Sequence, residues 1–196
     1  MGEKYIGTKF QTVFKGEFAP NAEQRRLIRS LISVGKEFKK MGLIDKNGGN
    51  ISVRSGRGFI IKRTGSHPYN LKSKDFVFVA KVAGNKVFTL GDSEPSSEAR
   101  LHNQVYKVRG DAKAVLHAHD KDALRCRQKL GGVVYLPPIP YGTQKSATAV
   151  AKASKKSDYI IQNKHGIVAI GKDIKSALKL IRQNHARFCE LSTKSS

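Results

Sequence analysis

The chain of 196 residues contains two cysteines, no tryptophan and few acidic residues. Two cysteines, Cys126 and Cys189, exclude a disulfide-stabilised scaffold and a CxxC redox or zinc motif, and we interpret them as half-buried, unreactive thiols. No apolar run approaches the roughly 18 residues that a membrane-spanning helix needs. The first ten residues lack the apolar core of a signal peptide. We therefore expect a soluble, cytoplasmic protein.

The shortage of acidic residues leaves a large positive charge. Lys and Arg total 37 against 15 Asp and Glu, which gives a formal net charge of +22. Such an excess predicts attraction to polyanions, whether nucleic acid or a phosphorylated substrate. The basic residues are spread along the chain, and no RNP, zinc-knuckle or helix-turn-helix pattern accompanies them. A basic solvated surface is the favoured interpretation, with nucleic-acid binding as the alternative.

The length suits one domain with a full core, and we expect a single domain over residues 1–196. Residues 1–19 are predicted to be extended, and a helix with an apolar stripe begins near Asn21 and ends by Gly42. Short strands follow, and then helices alternate with strands up to a closing helix. This order predicts an α/β fold with a largely antiparallel or mixed central sheet and helices on its faces. The predicted helices after the first are 97–109, 120–130, 145–156 and 173–190.

Two of the six histidines stand two residues apart in the apolar run AVLHAHD. On a strand, His117 and His119 point to the same face. Two imidazoles on one face are suited to a metal ion, because each ring nitrogen binds zinc at about 2.0–2.1 Å. A catalytic zinc site needs a third protein ligand, and His165, beside Gly166, is the candidate. Buried core histidines or a solvated pair are the alternatives.

The other three histidines fit a metal site less well. His67 is predicted to lie in a loop, and His102 and His185 on helices. We interpret all three as surface or helix-packing residues.

Three short segments rich in glycine, hydroxyl and amide side chains are candidate anion sites. In PSSE, two serines precede a predicted helix whose free N–H groups favour an anion, and Glu98 follows. A plain helix cap at Ser96 or Ser97 is the alternative. The segments GGNIS (48–52) and TGS (64–66) can cradle a phosphate through backbone N–H groups, or can be simple turns.

The order of these segments resembles the class II aldolase/adducin family, which includes L-fuculose-phosphate aldolase and L-ribulose-phosphate 4-epimerase. The resemblance extends from about residue 25 to residue 188, and its most specific part runs from Pro95 to His119. The motifs that carry it are GNISVR, TGSHPYNL, PSSEARLHNQVYKVRGDAKAVLHAHD and KHGIVAIGKDIKSAL.

The resemblance implies an α/β/α arrangement around a mainly antiparallel sheet, and a homotetramer with active sites at subunit interfaces. It implies that His117, His119 and His165 bind zinc. Glu98 matches the acid/base catalyst that also binds zinc in the resting aldolase. A pocket of small residues is implied to bind the substrate phosphate: Gly49, Asn50, Thr64, Gly65, Ser96 and Ser97.

The expected reaction is cleavage of a small phosphorylated ketose of the L-fuculose 1-phosphate type through a zinc-stabilised enediolate. A carboxylate exchanges the proton, and the phosphate holds the substrate in register. Glutamate at position 98 resembles the aldolase branch, whereas the epimerase branch typically carries aspartate there. A sugar-phosphate epimerase or a sugar-acid-phosphate decarboxylase is the enzymatic alternative. A basic nucleic-acid-binding protein on an aldolase-like scaffold is the alternative of another class.

One segment departs from the family pattern. Only 46 positions separate His119 from His165 (165 − 119), fewer than in fuculose-phosphate aldolases. The shortened segment lacks a stretch that carries an inter-subunit tyrosine proton donor in those enzymes. Tyr135 and Tyr141 are the candidates to replace it.

Overall fold

A computed structural model describes residues 8–45, 48–126 and 128–193. Two short 3₁₀ helices, Pro68–Asn70 and Ser73–Asp75, precede the fourth strand. The α-helices are α1 (Ala22–Lys40), α2 (Ala99–Val108), α3 (Lys121–Arg125), α4 (Gln144–Ser154) and α5 (Ile174–Thr193). The strands are β1 (Gln11–Phe14), β2 (Asn50–Ser55), β3 (Gly58–Lys62), β4 (Phe76–Ala83), β5 (Lys86–Leu90), β6 (Ala114–Ala118), β7 (Val133–Leu136), β8 (Tyr159–Gln162) and β9 (Gly166–Gly171).

The strands form one sheet in the order β1-β5-β4-β3-β2-β6-β9-β8-β7. β1 pairs with β5, and β7 with β8, in parallel, whereas the other neighbours are antiparallel. The predicted α/β fold with a mainly antiparallel sheet is confirmed. The extended segment predicted for 1–19 contains β1, while residues 1–7 lie outside the described residues. The single domain over the whole chain stays a prediction.

The helices cover both faces of the sheet, which gives the α/β/α layers. One buried cluster joins α1 and α5 to Leu116 of β6, and the other joins α2 and α4 to Val115. Neighbouring residues of β6 thus point to opposite cores, as alternation along a strand requires. In the described part of the chain, no helix combines the length and the apolar character that crossing a membrane would take.

Local sequence explains where α1 begins. The Asn21 side chain accepts from the Gln24 backbone N–H, and the Gln24 side chain accepts from the Asn21 N–H, so the helix has a capping box. Its buried residues include Leu31 and Phe38, which are about two helical turns apart and therefore lie on the same side of the helix. The helix ends before Gly42, whose φ of 70° suits glycine.

Two helices are shorter than predicted. α2 begins at Ala99 rather than residue 97, because Glu98 has a φ of −101° and ψ of 15° and acts as the N-cap residue. α3 ends at Arg125 rather than residue 130, because Cys126 adopts an extended conformation. Beyond it the Leu130 N–H donates to the Tyr135 hydroxyl at 2.8 Å instead of to a helical carbonyl.

Candidate active site

The three histidines predicted as metal ligands lie together where the end of strand β6 meets the start of strand β9. His117 is the fourth residue of β6, His119 follows that strand directly, and His165 precedes β9. β6 and β9 are antiparallel neighbours, with Ala118 opposite Ile167, so the end of one meets the start of the other. One ligand atom from each of the three imidazoles lies within 4.8 Å of the others.

Glycine at two positions makes this approach of the imidazoles sterically allowed. A Cβ atom on Gly166 would lie 2.4 Å from the Ala118 carbonyl oxygen and 2.8 Å from His117 Cε1. A Cβ atom on Gly48 would lie 2.4 Å from His119 Cε1. Both positions therefore exclude any side chain while the rings keep their places.

The carboxylate of Glu98 reaches the same place from the start of α2. Its Oε2 lies 3.3 Å from His117 Nε2, and its Oε1 lies 3.4 Å from His165 Nε2. The Glu98 side chain is only 3% exposed. Two ligands of a tetrahedral zinc ion, each about 2.0–2.1 Å from the metal, are about 3.3–3.4 Å apart. The distances between Glu98 and both histidines therefore agree with a shared metal ion.

The hydrogen bonds of His117 fix the tautomer of its ring. Nδ1 lies 2.9 Å from the Ile167 carbonyl oxygen, which can only accept, so Nδ1 carries the proton and Nε2 the lone pair. Nε2 is buried and makes no hydrogen bond to the residues that the structure describes. It faces a Glu98 oxygen, so two acceptors stand opposite each other. A cation between them would remove this repulsion, and imidazoles with a carboxylate form a donor set for zinc and related divalent metals.

Burial keeps the imidazoles of His117 and His119 neutral. It lowers the pKa of His117 to about 3 and the pKa of His119 to about 4, although the Glu98 carboxylate acts in the opposite direction. Burial alone would raise the pKa of Glu98, but His117, His165 and a hydrogen bond from Asn50 outweigh it and hold that pKa well below its usual range. Neutral histidines and an ionised carboxylate are the states in which these groups bind metal.

The candidate phosphate residues lie in two groups. The turn that contains Thr64 and Gly65 runs beside the segment before α2, where the Thr64 N–H donates to Glu94 O at 3.0 Å. In the same segment the Ser96 N–H donates to Lys62 O at 3.0 Å. Gly65 has a φ of 73° and open space where a Cβ would stand, so its backbone is accessible to an anion.

The remaining candidates for phosphate binding lie nearer to the metal ligands. Ser97 is buried, directly before Glu98. Gly49, with a φ of 87°, packs against the His117 carbonyl. Asn50 is opposite His117 in the β2–β6 ladder, and its side-chain amide donates to Glu98 Oε2 at 2.8 Å.

Sequence reasoning missed Lys62, a buried cation beside the turn of Thr64 and Gly65. Its ammonium donates to the Ser66 carbonyl at 2.7 Å and to the Arg63 carbonyl at 3.3 Å. The Lys62 ammonium therefore lies against the backbone of this turn and brings positive charge to it. The last residue of an apolar strand is a common place for an exposed lysine, so the sequence contained no signal of burial.

Sequence reasoning left His102 as a surface or helix-packing residue and did not identify its partners. It is fully buried, and its ring bonds the Asn50 side chain and Ser52, whose hydroxyl also contacts Tyr106. Of the two interpretations of His102, this agrees with helix packing and not with a surface position; its partners come from β2, about fifty residues earlier. The one available signal was its position four residues after Glu98, which places both on one side of α2.

The two tyrosines in the shortened segment differ in position. The Tyr141 ring stacks on His165, with centroids 5.5 Å apart and planes 3° from parallel. Lys9 lies 4.7 Å above the same ring and also donates to the Tyr141 carbonyl at 2.7 Å. Tyr135 instead accepts a hydrogen bond from the backbone of Leu130. Only Tyr141 of this pair contacts a predicted metal ligand in the described structure.

A second group of side chains of metal-binding type, Asp122, His185 and Cys189, lies close together but does not have the geometry of a zinc site. Cys189 Sγ lies 3.6 Å from His185 Nε2 but also 3.9 Å from Nδ1, so the sulfur is beside the ring. A sulfur that shares a zinc ion with Nε2 would be about 5 Å from Nδ1. Nδ1 of His185 bonds the buried Asp120 carboxylate at 3.0 Å. Both cysteines are partly buried and free, and burial raises the pKa of the Cys189 thiol.

Known proteins resemble this chain over most of its length. L-fuculose phosphate aldolase of Haemophilus influenzae is 30% identical over 175 residues, which cover 80% of this chain and 78% of that protein. The 5-methylthioribulose-1-phosphate/5-deoxyribulose-1-phosphate aldolase of Rhodospirillum rubrum is 27% identical and covers 79% of this chain and 75% of its own.

Solved structures share the fold. L-fuculose-1-phosphate aldolase from Thermus thermophilus superposes with a TM-score of 0.75 at 25% identity, covering 87% of this chain and 95% of its own. A sugar-phosphate aldolase from Thermotoga maritima gives a TM-score of 0.77 at 19% identity, covering 89% and 98%. Residues 29–190 match the family model described as Class II Aldolase and Adducin N-terminal domain. This chain therefore belongs to the class II aldolase and adducin family.

Proposed function

We propose that this protein is a metal-dependent aldolase that cleaves a ketose 1-phosphate. The observation that carries the proposal is the convergence of His117, His119 and His165 within 4.8 Å, with a buried carboxylate 3.3 Å and 3.4 Å from two of them. Three imidazoles and one carboxylate would hold a divalent cation, for which zinc is our prediction. When bound, that cation would act as a Lewis acid toward the substrate carbonyl.

The residues of the chain would provide proton transfer and orientation. Aldol cleavage breaks a carbon–carbon bond, releases an aldehyde and requires a proton at the carbon that is left. Glu98 is the group for this step, because its carboxylate lies within the metal site and one of its oxygens is held by Asn50 at 2.8 Å. Tyr141, stacked on His165, is our candidate for the group that exchanges the proton of the C4 hydroxyl: the phenolate would accept this proton as the aldehyde forms in cleavage, and the phenol would be the proton donor to the aldehyde oxygen in the reverse addition.

The substrate class follows from the relatives and from the two glycine-containing turns. The two relatives described above act, by their names, on L-fuculose phosphate and on 5-methylthioribulose 1-phosphate or 5-deoxyribulose 1-phosphate. Cleavage of any ketose 1-phosphate between C3 and C4 gives dihydroxyacetone phosphate. We propose that the phosphate of this shared half binds at Thr64, Gly65, Ser96 and Ser97, with Gly49 and Asn50 between it and the metal.

Metal analysis tests the site. Purified protein from metal-replete expression should contain close to one divalent ion per chain, and His117→Ala should lose it. His67→Ala is the matched control, because His67 is an exposed histidine outside the cluster. Protein without zinc, manganese, cobalt or iron after such expression would contradict the proposal.

Product analysis tests the reaction. L-fuculose 1-phosphate and 5-deoxyribulose 1-phosphate should release dihydroxyacetone phosphate, and Glu98→Gln should abolish the release while the metal stays bound. Conversion of L-ribulose 5-phosphate to its epimer, or release of carbon dioxide from a sugar-acid phosphate, would favour the alternative reactions. Salt-sensitive nucleic-acid binding that is unchanged by His117→Ala, without turnover, would favour the binding protein.

The quaternary structure and the location are further predictions from the family. We propose a homotetramer in the cytoplasm, with residues of a neighbouring subunit completing each site. Light scattering coupled to size-exclusion chromatography should give four times the mass of one chain.

A further inference from the structure

We propose that His102 is a positioning residue, which holds the Glu98 carboxylate through the side-chain amide of Asn50. This inference rests on the proposed acid/base role of Glu98. The His102 backbone N–H bonds the Glu98 carbonyl oxygen at 3.3 Å, but it is Asn50 that links the His102 ring to the Glu98 carboxylate. Its ring bonds Asn50 on one side and Ser52 on the other, and all three side chains are buried.

The orientation of the Asn50 amide is the first step. A carboxylate only accepts hydrogen bonds, so the NH₂ group of Asn50 must face Glu98, where Nδ2 donates to Oε2 at 2.8 Å. The Asn50 carbonyl oxygen Oδ1 therefore faces His102. Because Oδ1 can only accept, His102 Nε2 is the donor in this short contact.

The tautomer of His102 follows from this bond. Burial lowers the pKa of His102 to about 4, so the ring is neutral and carries one proton, on Nε2. Nδ1 must then accept, and the Ser52 hydroxyl donates to it at 2.6 Å. Having used its only proton, Ser52 accepts from the Tyr106 hydroxyl at 2.8 Å. The other acceptor near that hydroxyl, the Lys113 carbonyl, is 3.5 Å away and too distant to compete.

All four hydrogen bonds thus point in one direction, from Tyr106 toward Glu98. Each donor polarises the next, and the last one acts on a carboxylate in a water-poor site, where such chains are strengthened. This chain of hydrogen bonds holds Oε2 of Glu98, whereas Oε1 accepts none of the four bonds. We assign proton transfer to Oε1 and anchoring to Oε2.

Nuclear magnetic resonance of ¹⁵N-histidine in the zinc-loaded, full-length protein tests the direction of the chain. The His102 signal, assigned by its absence from His102→Gln, should show a protonated Nε2 and an unprotonated Nδ1 between pH 6 and 8. A proton on Nδ1, or on both nitrogens at pH 7, would overturn the inference. The measurement needs no substrate, so a protein that cleaves no ketose phosphate would contradict the proposed function alone.

Kinetics test the positioning role. We expect His102→Leu to lower kcat by about 10- to 100-fold while KM and metal content stay unchanged, which is the range for residues that support a metal ligand. His102→Gln should recover part of that loss, because its amide NH₂ can still donate to Asn50. Wild-type kcat in His102→Leu, or equal losses in both variants, would refute the role. If His102→Leu does not fold, the tautomer of His102 in the unaltered protein still tests the inference.

Discussion

Replacing Lys62 with methionine should remove a pH dependence of stability that the buried ammonium creates. Lys62 is 3% exposed, and burial lowers its pKa to about 8. An exposed lysine titrates near 10.4, and this difference corresponds to about 3 kcal/mol. The unfolded chain keeps the lysine proton up to about pH 10.4, whereas the folded protein releases it above about pH 8.

The sign of the effect follows from proton binding. Between about pH 8 and pH 10.4 the unfolded state binds more protons than the folded state, so this group makes the free energy of unfolding rise with pH. From pH 7.5 to pH 9.5 the gain is about 2 kcal/mol. Lys62→Met lacks the titrating group, so the difference in unfolding free energy, wild type minus variant, should grow by that amount.

Urea unfolding followed by circular dichroism at pH 7.5, 8.5 and 9.5 measures this difference. Lys81→Met is the matched control, because Lys81 is an exposed lysine on the neighbouring strand β4. Its unfolding free energy should follow that of the wild type across this range. If the unfolding free energies of the wild type and Lys62→Met change in parallel with pH, the interpretation of Lys62 as a buried, titrating ammonium is wrong. The same deprotonation should raise KM for a phosphorylated substrate above pH 8, because it removes the charge beneath the turn of Thr64 and Gly65.

Three further substitutions probe other parts of the molecule. Gly166→Ala puts a methyl group 2.4 Å from the Ala118 carbonyl oxygen, so metal affinity should fall by about tenfold or more, which competition with a chelator measures. Tyr141→Phe should lower kcat by at least about tenfold, whereas Tyr135→Phe should leave it near the wild-type value; the reverse order would exclude Tyr141 as proton donor. Arg54→Met should lower the free energy of unfolding by about 2 kcal/mol, because its guanidinium donates to carbonyls at the end of α2 at 2.7 Å and 3.2 Å. An unchanged urea midpoint would contradict this last expectation.

The parts of the site that depend on local periodicity could be predicted from the sequence. Two histidines two residues apart in an extended segment were expected to share a face, and Val115 and Leu116 of β6 pack into opposite cores as that alternation requires. The apolar stripe and the cap of α1 were equally local signals. The ends of α2 and α3 were less predictable, because contacts from other segments, such as Leu130 with Tyr135, decide where the chain leaves the helix.

The features that could not be predicted from the sequence depend on contacts with residues that are distant along the chain. β1 pairs in parallel with β5, which is far from it along the chain, and such pairing has no local signature. The hydrogen-bond partners of His102 could not be predicted for the same reason, since both lie on β2. The burial of Lys62 likewise depends on a turn that folds back over it. The roles assigned to the site residues stay predictions until the variants are measured.

The hydrogen-bond chain behind Glu98 depends on a match between two kinds of repeat. Asn50 and Ser52 are two residues apart on β2, a spacing of about 6.6–6.8 Å. Glu98, His102 and Tyr106 follow one another at intervals of four residues, or about 6 Å along a helix. The two spacings nearly agree, so each strand residue can bond two successive residues of the α2 side. A one-residue slip of β2 would replace both polar side chains with their apolar neighbours and break every link at once. The position of the carboxylate is therefore set by strand register as much as by the identity of the residues around it.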